Sequence, residues 1–151
     1  MLQVGQPAPN FTLKTTTGST FRLQDQRGRH VVLYFYPKDD TPGCTAEACS
    51  FRDQYEDFQD LGAEVVGISS DSEASHQKFT AKHRLPFELL ADEQGAVRKL
   101  YEVPRALLGL LPGRVTFVID KHGVIQYIFN SLTGATDHVR KAKEVIQGLP
   151  T

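Results

Sequence analysis

No stretch of the 151 residues approaches the roughly 20 consecutive apolar residues of a membrane-spanning helix. The first residues, "MLQVGQPAPNF", lack a basic segment followed by an apolar one, so they do not read as a secretory signal. Charge of one sign is also missing. Seventeen Lys and Arg face 18 Asp and Glu, for a net charge of −1. That balance gives no broad pull toward nucleic acid or an anionic membrane. Cysteine is scarce. Two in a chain of this size do not make a disulfide framework, and a reducing, cytoplasmic compartment is the expected setting. A processed organellar protein would look the same. There is no internal repeat, low-complexity tract or long linker. What remains is an ordinary balance of 40% apolar and 23% charged residues. Residues 1–151 are enough for one domain with a sizeable core.

Periodicity orders the chain. "FTLKTTTGSTFRL" (11–23) alternates around a glycine and reads as a short hairpin. "HVVLYFYP" (30–37) and "EVVGISSD" (64–71) are too densely apolar for strands with one wet face, so both read as central strands. "RVTFVID" (114–120) and "GVIQYIF" (123–129) flank "KHG" and predict a second hairpin. Cys44, Ala48, Phe51, Tyr55 and Phe58 recur at helical spacing and mark one core-facing stripe. Ser72 caps a second predicted helix that runs to about Arg84, where Pro86 stops it. A short third helix is expected over 95–102. A last one is marked by Val139, Ala142, Ile146 and Leu149. Alternating strands and helices, then a hairpin and a terminal helix, predict an α/β sandwich with a central mixed sheet flanked by helices.

The stretch "YFYPKDDTPGCTAEACSF" (34–51) holds both cysteines, Cys44 and Cys49. Thr41 and Pro42 have the pattern of a helix start, with threonine at the N-cap and proline at the first helical position. Cys44 then falls in the first turn, where backbone N–H groups lack partners and the helix dipole is positive. Both effects favour a thiolate, the nucleophilic form. Gly43 lets another group approach the backbone closely. The position also follows the carboxyl end of a central strand, where open α/β sheets place ligands.

The bland reading of Cys44 is an inert core cysteine. A zinc site would want about four ligands, and no histidine or third cysteine stands at ligand spacing. The five histidines (His30, His76, His83, His122, His138) are scattered and read as mostly solvated, with none placed as a base for Cys44. A staple conflicts with geometry. Five residues along a regular helix separate the two Cα atoms by roughly 8.6 Å and rotate the side chains about 140° apart. A disulfide needs about 4.4–6.8 Å. Either the pair never bonds within one chain, or the first turns unwind to let it.

At "YPKDDTPGCTAEACSFRD" the sequence resembles the peroxiredoxins of the Q type, also called bacterioferritin comigratory proteins. Pro37, Thr41 and Cys44 fit the family's Pro-x-x-x-Thr-x-x-Cys pattern, and Cys44 and Cys49 fit the Q-type spacing. "VGQPAPNFTL", "GAEVVGISSD", "LPFELLADE" and "LPGRVTFVIDKHGVI" extend the likeness over nearly the whole chain.

The resemblance implies a thioredoxin-like fold and a thiol peroxidase acting on hydrogen peroxide and organic (alkyl) hydroperoxides. It makes Cys44 the peroxidatic cysteine, which passes through a sulfenic acid, and Cys49 the resolving one. Their intrachain disulfide is recycled by thioredoxin or a similar dithiol. Arg114 matches the family's active-site arginine; residue reasoning alone does not choose it over Arg52, Arg84, Arg98 or Arg105. Thr41 would contact thiolate and peroxide as well as capping the helix, and Pro37 would shield the thiolate from water. Glu47, one turn after Cys44, either orients an arginine or is an exposed helix glutamate. No metal, haem, flavin or other cofactor is called for, nor a nucleic-acid or membrane partner, and an intrachain resolving cysteine fits a monomer. The alternative, a thioredoxin-like protein disulfide oxidoreductase, would more often show Cys-x-x-Cys, which is missing.

"ALLGLLPG" (106–113) has five Ala or Leu in eight residues. Ordinary burial is the expectation for such a segment. The functional reading is an apolar wall that accepts organic hydroperoxides.

Overall fold

The computed structural model describes residues 2–150. Among them, seven strands form one sheet: β1 (Thr12–Thr15), β2 (Thr20–Arg22), β3 (His30–Phe35), β4 (Ala63–Ser69), β5 (Glu88–Ala91), β6 (Val115–Ile119) and β7 (Ile125–Asn130). Five α-helices accompany them: α1 (Pro42–Asp53), α2 (Tyr55–Asp60), α3 (Glu73–His83), α4 (Ala96–Leu100) and α5 (Ala135–Gln147). The spatial order is β2-β1-β5-β4-β3-β6-β7. β3, β4 and β5 run parallel, while β6 and β7 add antiparallel on one side and β1 and β2 on the other. This is the expected mixed, thioredoxin-like α/β arrangement.

All six residues of β3 are buried, because both faces of the sheet are covered. Val32 and Tyr34 join one core cluster with Cys44, Ala48 and Phe51 of α1 and Val139, Ala142 and Ile146 of α5. Val31, Leu33 and Phe35 join the other, with Val97 of α4 and Phe117 of β6. The period of two along a strand thus feeds two cores, which is why this segment reads as a continuous apolar run.

Several boundaries differ from expectation. The stripe from Cys44 to Phe58 spans two helices, broken at Gln54 (φ −109°, ψ 7°). Phe58 is buried in the same core, so the side-chain pattern survives the break. β5, in "FELLAD", adds a strand that the periodicity does not predict: four residues give a weak period, and only its place between β4 and β1 makes it a strand. Ser72 does cap α3, accepting from the Ser75 N–H at 3.1 Å. That helix ends one residue early, where Arg84 turns left-handed at φ 53°.

The histidine expectation is overturned. His30, His76 and His138 are buried. Tertiary packing supplies ring-nitrogen partners: Pro150 O for Nε2 of His30, Asp39 and Leu90 O for both nitrogens of His76, and Thr116 and Ser131 O for both of His138.

Candidate active site

From the end of β3 the chain passes through residues 36–41 into α1. Two clasps hold this loop. Asp39 accepts from the Tyr36 hydroxyl (2.5 Å), from Ser75 Oγ (2.8 Å) and from His76 Nδ1 (2.7 Å). Asp40, in the left-handed region at φ 57°, accepts from Lys82 Nζ at 2.9 and 3.0 Å. Asp39, His76 and Asp71 are close enough together to suggest a metal site. Their atoms are already committed to one another and to Ser69, Ser75 and Tyr36, so they read as a fastening of the loop to α3.

Thr41 occupies the N-cap position and Pro42 the first helical one, as the sequence suggests. The threonine hydroxyl does not cap, however; it donates back to Lys38 O at 2.9 Å. Cys44 lies in the first turn and is 1% exposed. Cys49 lies farther along the same helix and is half-buried, and both thiols are free. One unbroken helix therefore carries the pair at a spacing that forbids their bond.

Arg114 reaches this helix from across the sheet. β6 pairs antiparallel with β3 in the register Phe35↔Val115, which brings residue 114 to the end of β3 where α1 begins. Its Nε donates to Leu132 O (2.9 Å), Nη1 to Glu47 Oε1 (2.6 Å) and Nη2 to Cys44 Sγ (3.5 Å). Gly43 is what admits it: a Cβ there would lie 3.0 Å from Nη2. Burial pulls the guanidinium toward neutrality, but Glu47 and Cys44 more than offset this and hold it charged. A fixed positive donor against a buried sulfur stabilises negative charge there.

Glu47 is wholly buried and pairs with Arg114, so the exposed-glutamate reading is wrong. The sequence carried a signal for this: Cys44, Glu47, Ala48 and Phe51 all fall on one apolar helical face. Burial pushes the Glu47 carboxyl up to about 8, although Arg114 draws it down. Its Oε2 has no hydrogen-bond partner and lies 3.8 Å from His138 Nδ1. His138 Nε2 donates to Ser131 O at 2.7 Å, which leaves Nδ1 to accept from the Thr116 hydroxyl at 2.7 Å. Burial, despite the Ser131 bond, pushes this imidazole down to about 4, so it is neutral. Arg98 braces the same region by donating to Gly113 O and Tyr36 O, both at 2.8 Å.

Pro37, Thr41, Cys44 and Arg114 share one cavity of about 430 Å³ with Leu111 and Leu132, and Cys49 does not line it. The 106–113 segment is not buried as expected. Ala106 and Leu111 bridge across a tight turn in which Leu107 and Leu108 both adopt left-handed conformations (φ 50° and 56°). Leu107, Leu108 and Leu110 consequently point outward, and Leu111 forms part of the cavity wall.

A thioredoxin-like sheet, with a buried cysteine opening the helix after its central strand and an arginine against the sulfur, defines the class of thiol-dependent peroxidases. The AhpC/TSA family model matches residues 4–128. The chain belongs to that family, and within it to the peroxiredoxins of the Q type. It is 53% identical over 145 residues to the chloroplastic peroxiredoxin Q of Triticum aestivum, covering 96% of this chain and 67% of that protein. Peroxidoxin BcpB of Mycobacterium tuberculosis superposes with a TM-score of 0.91 at 36% identity, over the whole of both chains. The bacterioferritin comigratory protein of Xanthomonas campestris, described for its alkyl peroxide reduction activity, gives a TM-score of 0.79 at 30% identity, over 89% of this chain and 90% of that one.

Proposed function

We propose that Cys44 is the peroxidatic cysteine and Cys49 the resolving one. The observation that carries this reading is the 3.5 Å contact from Arg114 Nη2 to a cysteine in the first turn of α1. The Cys44 thiolate attacks one peroxide oxygen, the O–O bond breaks, and its electron pair leaves on the other oxygen. Arg114 and the partnerless N–H groups of the first turn stabilise that charge, and the Thr41 hydroxyl joins them by turning from Lys38 O. The departing oxygen takes up a proton and leaves as water or an alcohol, and Cys44 is left as a sulfenic acid. Pro37, at the cavity rim, limits access of bulk water. Glu47 orients Arg114, and His138 backs Glu47.

Cys49 then attacks the sulfenic sulfur, a disulfide forms and water leaves. Since α1 as folded cannot hold that bond, its first turns unwind at this step. A thioredoxin-type dithiol returns both cysteines to thiols by exchange. The substrates are hydrogen peroxide and alkyl hydroperoxides. Leu111 and Leu132 supply an apolar wall for the alkyl part, consistent with the activity described for the Xanthomonas protein. We further read residues 1–151 as one catalytic domain that acts as a monomer in a reducing compartment, cytoplasmic or organellar. Several relatives are chloroplastic, and no helix among the described residues is long and apolar enough to cross a membrane.

Stopped-flow peroxide titration of wild type and Cys49→Ser, with thioredoxin as reductant, tests the assignment. The variant should consume one equivalent of peroxide at the wild-type rate and then stall. Normal thioredoxin-dependent turnover in Cys49→Ser would end the resolving role.

A further inference from the structure

Tyr34 lies on β3 beneath α1, with no exposed surface. Its ring stacks on Phe51 of α1 with centroids 4.6 Å apart and planes at 25°, and meets Phe87 edge-on at 6.1 Å. The phenol extends over β4, where Gly67 is its register partner. A Cβ at Gly67 would come within 2.9 Å of the hydroxyl oxygen and 2.8 Å of Leu89, so the glycine makes room for this ring. Yet the hydroxyl reaches no hydrogen-bond partner. Tyr36, Tyr55 and Tyr101 each donate, to Asp39, Glu64 and Pro9 O, at 2.5–2.7 Å. Tyr34 is the exception among these four, and it is the one stacked on the helix that carries both cysteines.

A phenylalanine would fill the same space and leave no donor unsatisfied, so packing does not account for the oxygen. Burial raises the ionisation of Tyr34 well above the usual range, so the group remains a neutral O–H. Glu47 Oε2 is a second unpartnered polar atom on α1 itself. Glu47 Oε2 regains water when the first turns of α1 unwind, and the Tyr34 hydroxyl does so once the unwinding extends past Cys49 to Phe51, the residue stacked on its ring. The folded helix therefore carries a penalty that unwinding relieves.

We propose that Tyr34 acts through Phe51 and α1 to speed the disulfide-forming step, its unsatisfied hydroxyl lowering the cost of unwinding the helix. Tyr34 touches neither peroxide nor sulfur in this role; it is a positioning residue that biases α1 between two arrangements. The inference rests on the reading that Cys44 and Cys49 bond after local unwinding.

The test is Tyr34→Phe. Reduced wild type and variant are each mixed with one equivalent of hydrogen peroxide. Cys44 oxidation is followed by stopped flow, disulfide formation by acid quench and mass spectrometry, and thermal stability on the reduced proteins. The variant should melt higher, react with peroxide at the wild-type rate, and form the disulfide of the order of tenfold more slowly. In excess peroxide more of its Cys44 should reach sulfinic acid, because the sulfenic acid lives longer. Disulfide formation at the wild-type rate or faster would overturn the inference, as would a variant that melts lower or fails to fold. If wild type itself forms no Cys44–Cys49 bond, the underlying reading falls as well, a result distinguishable from a failure of Tyr34 alone.

Discussion

The two cysteines share one helix but not one environment. Cys44, at the start of α1, is buried and touched by Arg114, which is itself tied to Glu47 and to Leu132 O. Cys49, past the middle of the same helix, is half-buried and lies away from the cavity. The first surroundings suit a reaction that needs fixed donors around developing charge. The second suits a residue that must wait for the helix to open. In the proposed cycle, placing both on one short element couples the steps, because the order that serves the first must be undone for the second.

The largest expected effect falls on the ordered end. Arg114→Ala removes the donor to Cys44 and leaves the buried Glu47 without its hydrogen-bond donor. The second-order rate constant of reduced enzyme with peroxide should fall about 10²–10³-fold. An unchanged constant would remove Arg114 from the account.

A smaller effect separates the buried carboxyl from the rest of the protein. In the folded state Glu47 keeps its proton up to about pH 8, whereas an ordinary glutamate releases it near 4.5. The unfolded chain therefore binds fewer protons than the folded one in that window, and stability declines as pH rises through it. His138 works the other way. Its ionisation is lowered from 6.5 to about 4, so its contribution is complete above 6.5 and is lost as pH falls toward 4. The two slopes oppose each other below 6.5, and Glu47 acts alone above it. Wild type should lose several degrees of melting temperature between pH 6.5 and 8, and Glu47→Gln should lose little. Equal slopes in both proteins would mean that Glu47 is ionised throughout this range.

How much of this was legible in the sequence depends on whether the signal was local. The β3–turn–α1 unit was readable because a dense apolar run, a Thr-Pro start and a helical stripe are all contiguous. β5 is not legible, because its identity comes from its neighbours. Arg114 could be singled out only through the family likeness, since the register that brings residue 114 beside α1 is a tertiary fact. The burial of His138 was hidden for the same reason: its partners come from β6 and from the segment before α5. Glu47 was the recoverable case, a charge lying on an apolar face. The 106–111 turn departs from the sequence expectation because leucine usually packs inside, whereas two consecutive left-handed residues turn these side chains outward.

The central claim is that α1 is intact when the thiols are free and opens when they bond. Hydrogen–deuterium exchange of the peptide covering residues 42–53, measured on reduced protein and on protein oxidised by one equivalent of peroxide, tests it most directly. The account predicts strong protection in the reduced form and its loss in the oxidised form, with the strands β3 and β4 unchanged. Equal protection of that peptide in both forms, alongside a Cys44–Cys49 disulfide found by mass spectrometry, would contradict it.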